Sequence, residues 1–145
     1  MSTTTTSQLQ DTRIDVKLVL SAMWVAMLFV FAYVDIFGFL RADVIEAALD
    51  GEVAATGLAV NQAFLIATLI YIVLPALMVV LSLVLRARLN RMLNIVVSLV
   101  YIVTIIASCI GEKWVYYILG SLIEAVLLAT IARTAWKWPT APSTP

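Results

Sequence analysis

The chain has no histidine and a single cysteine, Cys109, in 145 residues. Without histidine it lacks the usual axial ligand of haem, the commonest zinc and copper ligand, and the usual proton shuttle near neutral pH. One cysteine makes neither an intrachain disulfide nor a C-x-x-C pair, so thiol-redox and iron–sulfur chemistry are excluded. Charge is also scarce. Only 12% of residues are Asp, Glu, Lys or Arg, against about a quarter in an ordinary soluble domain. The nine acidic and nine basic residues cancel, leaving no long-range field to draw nucleic acid. No nucleophile–base pair or metal-ligand set stands out. The expectation is a non-enzymatic chain with no cofactor and no metal site.

What is abundant is apolar sequence. The chain is 63% hydrophobic, with a mean hydropathy of +1.06. Four apolar runs, residues 18–40, 60–85, 92–110 and 114–136, are each long enough to cross about 30 Å of hydrocarbon as a helix. The fold class expected is therefore all-α, a polytopic four-helix transmembrane bundle forming one domain over residues 14–139. Residues 1–13 and 140–145 read as disordered tails rich in Ser, Thr and Pro. The first run is too long for a signal-peptide core and no small-residue cleavage site follows it.

The connections are unequal. Residues 41–59 form the only sizeable loop, and Asp43, Glu46, Asp50 and Glu52 make it acidic. Asp43 followed by Glu46 has capping-box spacing, and Val44, Ile45, Ala48 and Leu49 share a face. A short amphipathic helix ending near Gly51 is expected there, lying on the membrane surface or covering the bundle. Arg86-Ala-Arg88-Leu-Asn-Arg91 reads as a basic turn and Gly111-Glu-Lys113 as a minimal one. Seven of the nine basic residues flank the termini and the middle turn, leaving only Arg41 and Lys113 at the opposite end. The positive-inside rule then places both termini in the cytoplasm and the acidic loop outside, in a multi-pass cell-membrane protein.

Each run carries polar or small residues at helical spacing. They are Ser21, Trp24, Leu28, Phe31 and Asp35 on the first, and Asn61, Thr68, Tyr71, Pro75 and Ser82 on the second. Asn94, Ser98, Tyr101 and Ser108 follow on the third, and Tyr117, Gly120, Ser121 and Glu124 on the fourth. Pro75 removes a backbone donor, frees the Tyr71 carbonyl and is expected to kink the second helix. Glu124 falls near the membrane midplane with Tyr71 and Tyr101, while Asp35 and Tyr117 lie towards the acidic-loop end. A charged side chain at mid-membrane depth costs roughly 2.5–3.5 kcal/mol to insert on translocon scales. Glu124 should therefore face inward. The candidate ion or proton site is Glu124, Asp35, Tyr71, Tyr101 and Tyr117, with the tyrosines as hydrogen-bonding partners. Small residues and hydroxyls in such stripes also serve plain helix packing. Arg133 reads as snorkelling to the headgroups, Trp24 as bulk filling and Cys109 as a small buried hydrophobe.

The Tyr33-x-Asp35 segment, Asn90-Arg-x-x-Asn94, the Glu124 helix and the Ala135-Trp-Lys-Trp-Pro139 ending together resemble a family of uncharacterised bacterial four-helix integral membrane proteins. The resemblance spans residues 15–139. It implies a bacterial inner-membrane protein with a domain of unknown function, and implies no mechanism. Small multidrug-resistance transporters differ, because their membrane glutamate lies in the first helix. The claudin-like pattern differs in its paired loop cysteines. Two readings remain open. One is a proton- or cation-linked transporter or channel subunit centred on Glu124. The other is a non-catalytic scaffold or accessory subunit whose polar seam is structural. The partners expected are the lipid bilayer and either a second copy or another membrane protein, with no nucleic acid.

Overall fold

A computed structural model describes residues 13–54 and 56–139. The tails expected at 1–13 and 140–145 fall outside them, except for Arg13. The described chain is all-α: α1 (Val16–Gly38), the short α2 (Ala42–Leu49), α3 (Gln62–Val84), α4 (Ala87–Ser108) and α5 (Val115–Trp136). The four long helices are long and apolar enough to cross a membrane. They form a bundle in which α1 packs on α3 and α5, and α4 packs closely on α5 and only lightly on α3. The four long helices alternate in direction, joined by the loop that carries α2 and by short turns between α3 and α4 and between α4 and α5. One end of the bundle carries α2 and the α4–α5 turn, and is called the loop end below. The other carries both described chain ends and the α3–α4 turn.

Local chemistry sets the helix ends. Asp15 caps α1 by accepting from the Lys17 N–H at 2.7 Å, and Asn61 caps α3 by accepting from the Phe64 N–H at 3.0 Å. The capping box expected at Asp43 is not built. Helix α2 starts at Ala42 with Arg41 in the N-cap position and no side-chain cap bond. The Asp43 carboxylate pairs with Arg41 instead. The stop expected near Gly51 is present in detail. Gly51 takes φ +75°, its N–H bonds to the Ala48 carbonyl, and the Glu52 N–H bonds to Ala47, which together make a Schellman cap. None of the residues of α2 is buried, so it does not cover the bundle core. The loop then folds back through a bridge between Glu52 and Ala59.

The basic turn expected at Arg86, Arg88 and Arg91 needs correction. Only Arg86 lies outside the helix, as the N-cap of α4, while Arg88 and Arg91 sit in its opening turns. No glycine or proline separates residue 87 from the apolar run, so the helix starts five residues before the expected residue 92. That extension places Asn90 one turn before Asn94. Arg91 lies over the Trp136 ring, 5.6 Å from its centroid, joining the start of α4 to the end of α5.

The core fills the half of the bundle away from the loop end. Leu20, Trp24, Met27, Met78, Leu128 and Ile131 are all essentially inaccessible there, and Tyr101 is buried at its mid-bundle limit. At the loop end, α1 and α5 approach closely at Gly120. A Cβ added there would run into Val34 Cγ2. Val34 is stiff at χ1 and does not swing clear freely. Overpacking of this kind costs about 1–3 kcal/mol. Gly120→Ala should therefore lower the thermal midpoint in detergent, and Val34→Ala in the same chain should recover most of the loss. An unchanged midpoint in Gly120→Ala would show that α1 and α5 do not approach this closely.

Candidate functional site

The polar seam divides into two halves of different character. In the half away from the loop end, every group has a partner. Asn94 is fully buried. Its Oδ1 accepts from the Trp24 indole N–H at 2.7 Å and from the Ser82 hydroxyl at 3.3 Å. Its Nδ2 donates to Asn90 Oδ1 at 2.7 Å and to the Asn90 carbonyl at 2.9 Å. The Asn90 amide in turn donates to the Ser82 carbonyl at 2.6 Å, and Ser98 donates to the Asn94 carbonyl. Ser21 adds a bond from α1 to the Val79 carbonyl of α3 at 2.9 Å. The cluster joins α1, α3 and α4. Trp24, expected as filler, is one of its donors.

Near mid-bundle, Pro75 has the effect expected of it on the Tyr71 carbonyl. That carbonyl has lost its usual helical donor and accepts from the Tyr101 hydroxyl across the α3–α4 seam. The Tyr71 hydroxyl meets Thr104 Oγ1 at 2.7 Å, and Thr104 donates to the Tyr101 carbonyl at 2.9 Å. Since the threonine proton is engaged, Tyr71 is the donor to Thr104. The two phenol rings stack with centroids 4.7 Å apart, and Tyr101 meets Trp24 edge-on at 6.5 Å. Both tyrosine hydroxyl protons are thus committed between α3 and α4. They do not serve Glu124, contrary to the role expected of them.

The loop-end half contains a cavity of about 420 Å³ bounded by all four long helices. Phe31, Val34 and Asp35 contribute from α1, and Phe64 and Tyr71 from α3. Thr104, Ile105 and Ser108 contribute from α4, and Tyr117, Ser121 and Glu124 from α5. Glu124, nine residues into α5, lies at its deepest level, about 14 Å along the helix from the loop end. It is 2% exposed, and its Oε1 has no hydrogen-bond partner among the described residues. Asp35 is exposed at the other limit of the same cavity. It stands beside the buried stripe of α1 rather than on it, because Val34 takes the inward position. Of the five candidate residues, Glu124, Asp35, Tyr71 and Tyr117 share the cavity, and Tyr101 lies outside its lining. Thr68, grouped with the second stripe, is exposed and bonds back to the Phe64 carbonyl. Arg133 is exposed and Cys109 half-buried.

Beyond the helix ends, Arg41 organises the loop end. Its guanidinium pairs with Asp43 at 2.6 Å and with Glu112 of the α4–α5 turn at 3.1 Å, and lies 4.9 Å from the Trp114 ring centroid. Its hydrogen bond to Asp43 shifts the guanidinium upward against the effect of burial, and Glu112 adds to the shift. The same bond holds the Asp43 carboxyl below its ordinary range. Burial acts to raise Glu112. The Trp114 N–H, the Arg41 guanidinium and the Lys113 N–H outweigh it and hold that carboxyl below its ordinary 4.5. Glu112 also accepts the Lys113 and Trp114 N–H groups at 2.8 and 3.0 Å, closing the start of α5. Glu112 stands outside the expected site. Its signal was a carboxylate just ahead of a helix lacking a better cap.

Among the described residues, no group of three His, Cys, Asp or Glu side chains is placed to hold a metal ion. A carboxyl held below its unfolded value stabilises the fold above that value, and the contribution is lost as pH falls through the folded one. The wild-type melting midpoint in detergent should thus drop as the medium is acidified below about pH 4.5. Glu112→Gln keeps an acceptor for the turn but loses the charge, and should flatten that part of the acid dependence. An identical acid profile in the variant would show that the Arg41 latch does not contribute.

No curated protein and no solved structure matches the chain. A family model described as a family of unknown function (DUF6326) matches residues 9–142, in accord with the resemblance read from the sequence, and the chain belongs to that family.

Proposed function

We propose that this protein is a small proton- or cation-linked carrier of a bacterial inner membrane, with Glu124 as its central binding group. The observation that carries the reading is the buried Glu124 carboxyl, whose Oε1 has no partner, at the deepest level of a cavity that stops at mid-bundle. A polar group retained in hydrocarbon without a hydrogen bond costs of the order of 1–3 kcal/mol. Ionisable groups kept at membrane depth mark ion pathways and proton relays. The distribution of Lys and Arg supports an orientation with the termini in the cytoplasm and the cavity facing outward.

Below mid-bundle, the far half is closed by Leu20, Trp24, Met27, Met78 and Leu128. A continuous pore is therefore disfavoured relative to a carrier with alternating access. In such a cycle a proton or cation enters past Asp35, is held at Glu124, and leaves after the helices rearrange. The chain's own residues supply binding and exclusion of water, and no covalent step is required. The alternative is a non-catalytic scaffold or accessory subunit that binds a second copy or another membrane protein. It draws support from the Asn90–Asn94 cluster, whose completely partnered groups act as helix-packing devices.

Reconstitution in liposomes containing a pH-sensitive dye separates the two. The carrier reading expects a proton flux in wild type that Glu124→Gln reduces at least tenfold and Asp35→Asn reduces by less. Flux indistinguishable from empty liposomes, or unchanged in Glu124→Gln, would favour the scaffold.

A further inference from the structure

We infer that the loop-end cavity binds a small monovalent organic cation, an aromatic or aliphatic ammonium, with Glu124 as its counter-ion. The inference deepens the carrier reading above and rests on it for the transport step only. Three features of the cavity select this chemistry.

The first is charge. Two carboxyl groups, Asp35 and Glu124, line the cavity, and no lysine or arginine does among the described residues. Glu124 is buried with one oxygen unpartnered. An anion entering here would meet like charge at both levels. A cation would complete an ion pair in a site largely shielded from water, where such pairs are screened least.

The second is the wall. Phe31, Phe64, Tyr71 and Tyr117 come from three different helices and line the cavity together with the two carboxyls. Aromatic faces attract a cation at roughly 0.5–2 kcal/mol each, the larger values where water is excluded. They cannot replace the oxygen shell that an inorganic divalent ion requires. The cavity contains two carboxyls where a calcium ion takes six to eight oxygen ligands. The ligand must therefore carry its charge on a group that can rest against rings, as an ammonium does.

The third is size. About 420 Å³ lies towards the lower end of the range occupied by pockets for small organic molecules. It exceeds what a bare proton or alkali ion needs. Because one buried carboxyl balances one charge, a proton and an organic cation would compete for Glu124. Binding of either excludes the other, which is the coupling that an exchange carrier needs.

The test uses the full chain in detergent micelles, titrated calorimetrically at fixed pH with benzyltrimethylammonium, benzyl alcohol and benzenesulfonate. The quaternary ammonium has no proton of its own to exchange. It should bind saturably and at least tenfold more tightly than the neutral or anionic probe, and Glu124→Gln should remove at least tenfold of that affinity. Equal affinity for the three probes, or undiminished binding in a Glu124→Gln chain of wild-type helicity, overturns the proposal. If the glutamine variant does not fold, Phe64→Leu decides. A severalfold loss of cation binding supports the proposal, and unchanged binding overturns it. Cation binding without Glu124-dependent proton flux would remove the carrier reading and leave the ligand class standing. Flux without cation binding would do the reverse.

Discussion

The side chain of Asn94 is the point on which the bundle depends. Apolar helices in a bilayer gain little from burying more apolar surface, so their association rests on close packing and hydrogen bonds between them. Asn94 gathers Trp24 from α1, Ser82 from α3 and Asn90 from its own helix. Transmembrane hydrogen bonds average only about 0.6 kcal/mol each in double-mutant cycles. Their value here lies in specificity. An Asn or Trp rotated towards lipid would lose its partners, so the cluster sets the rotation of three helices at once.

That anchoring leaves the opposite half of the bundle different in kind. Where Asn94 and its partners close the structure, no polar group is left over for chemistry. Around the loop-end cavity, polar groups remain that the fold does not use, and Glu124 is the deepest of them. Arg41 keeps that end from fraying, since one guanidinium ties the start of α2 to the α4–α5 turn through Asp43 and Glu112. Rigidity at one end and room at the other are two results of one asymmetric distribution of amides and hydroxyls.

The four long helices were legible because apolar runs of some twenty residues have few other interpretations. Pro75 was legible too, since the loss of one N–H identifies the carbonyl that needs another donor. The tyrosines were only half legible. Their depth followed from counting residues, but the Tyr71 hydroxyl turns to Thr104, a neighbour that no stripe singled out, and the Tyr101 hydroxyl to the carbonyl that Pro75 frees. Asp35 shows the limit of helical spacing, because a shift of one residue gave the inward position to Val34, opposite Gly120. The start of α4 was misjudged for a related reason. Hydropathy marks where a helix can sit in lipid, whereas the exposed Arg88 and Arg91 carry it past the apolar run, with Asn90 turned inward to the amide cluster.

The light packing between α3 and α4 has a mechanical consequence. The other neighbouring pairs pack more closely, whereas this seam is held by the Tyr71–Thr104–Tyr101 bonds, one ring stack and the Ser82 bonds to Asn90 and Asn94. The bundle is therefore an open ring of helices, α3–α1–α5–α4, whose two free edges are joined by the amide cluster far from the loops and by a pair of tyrosines near its middle.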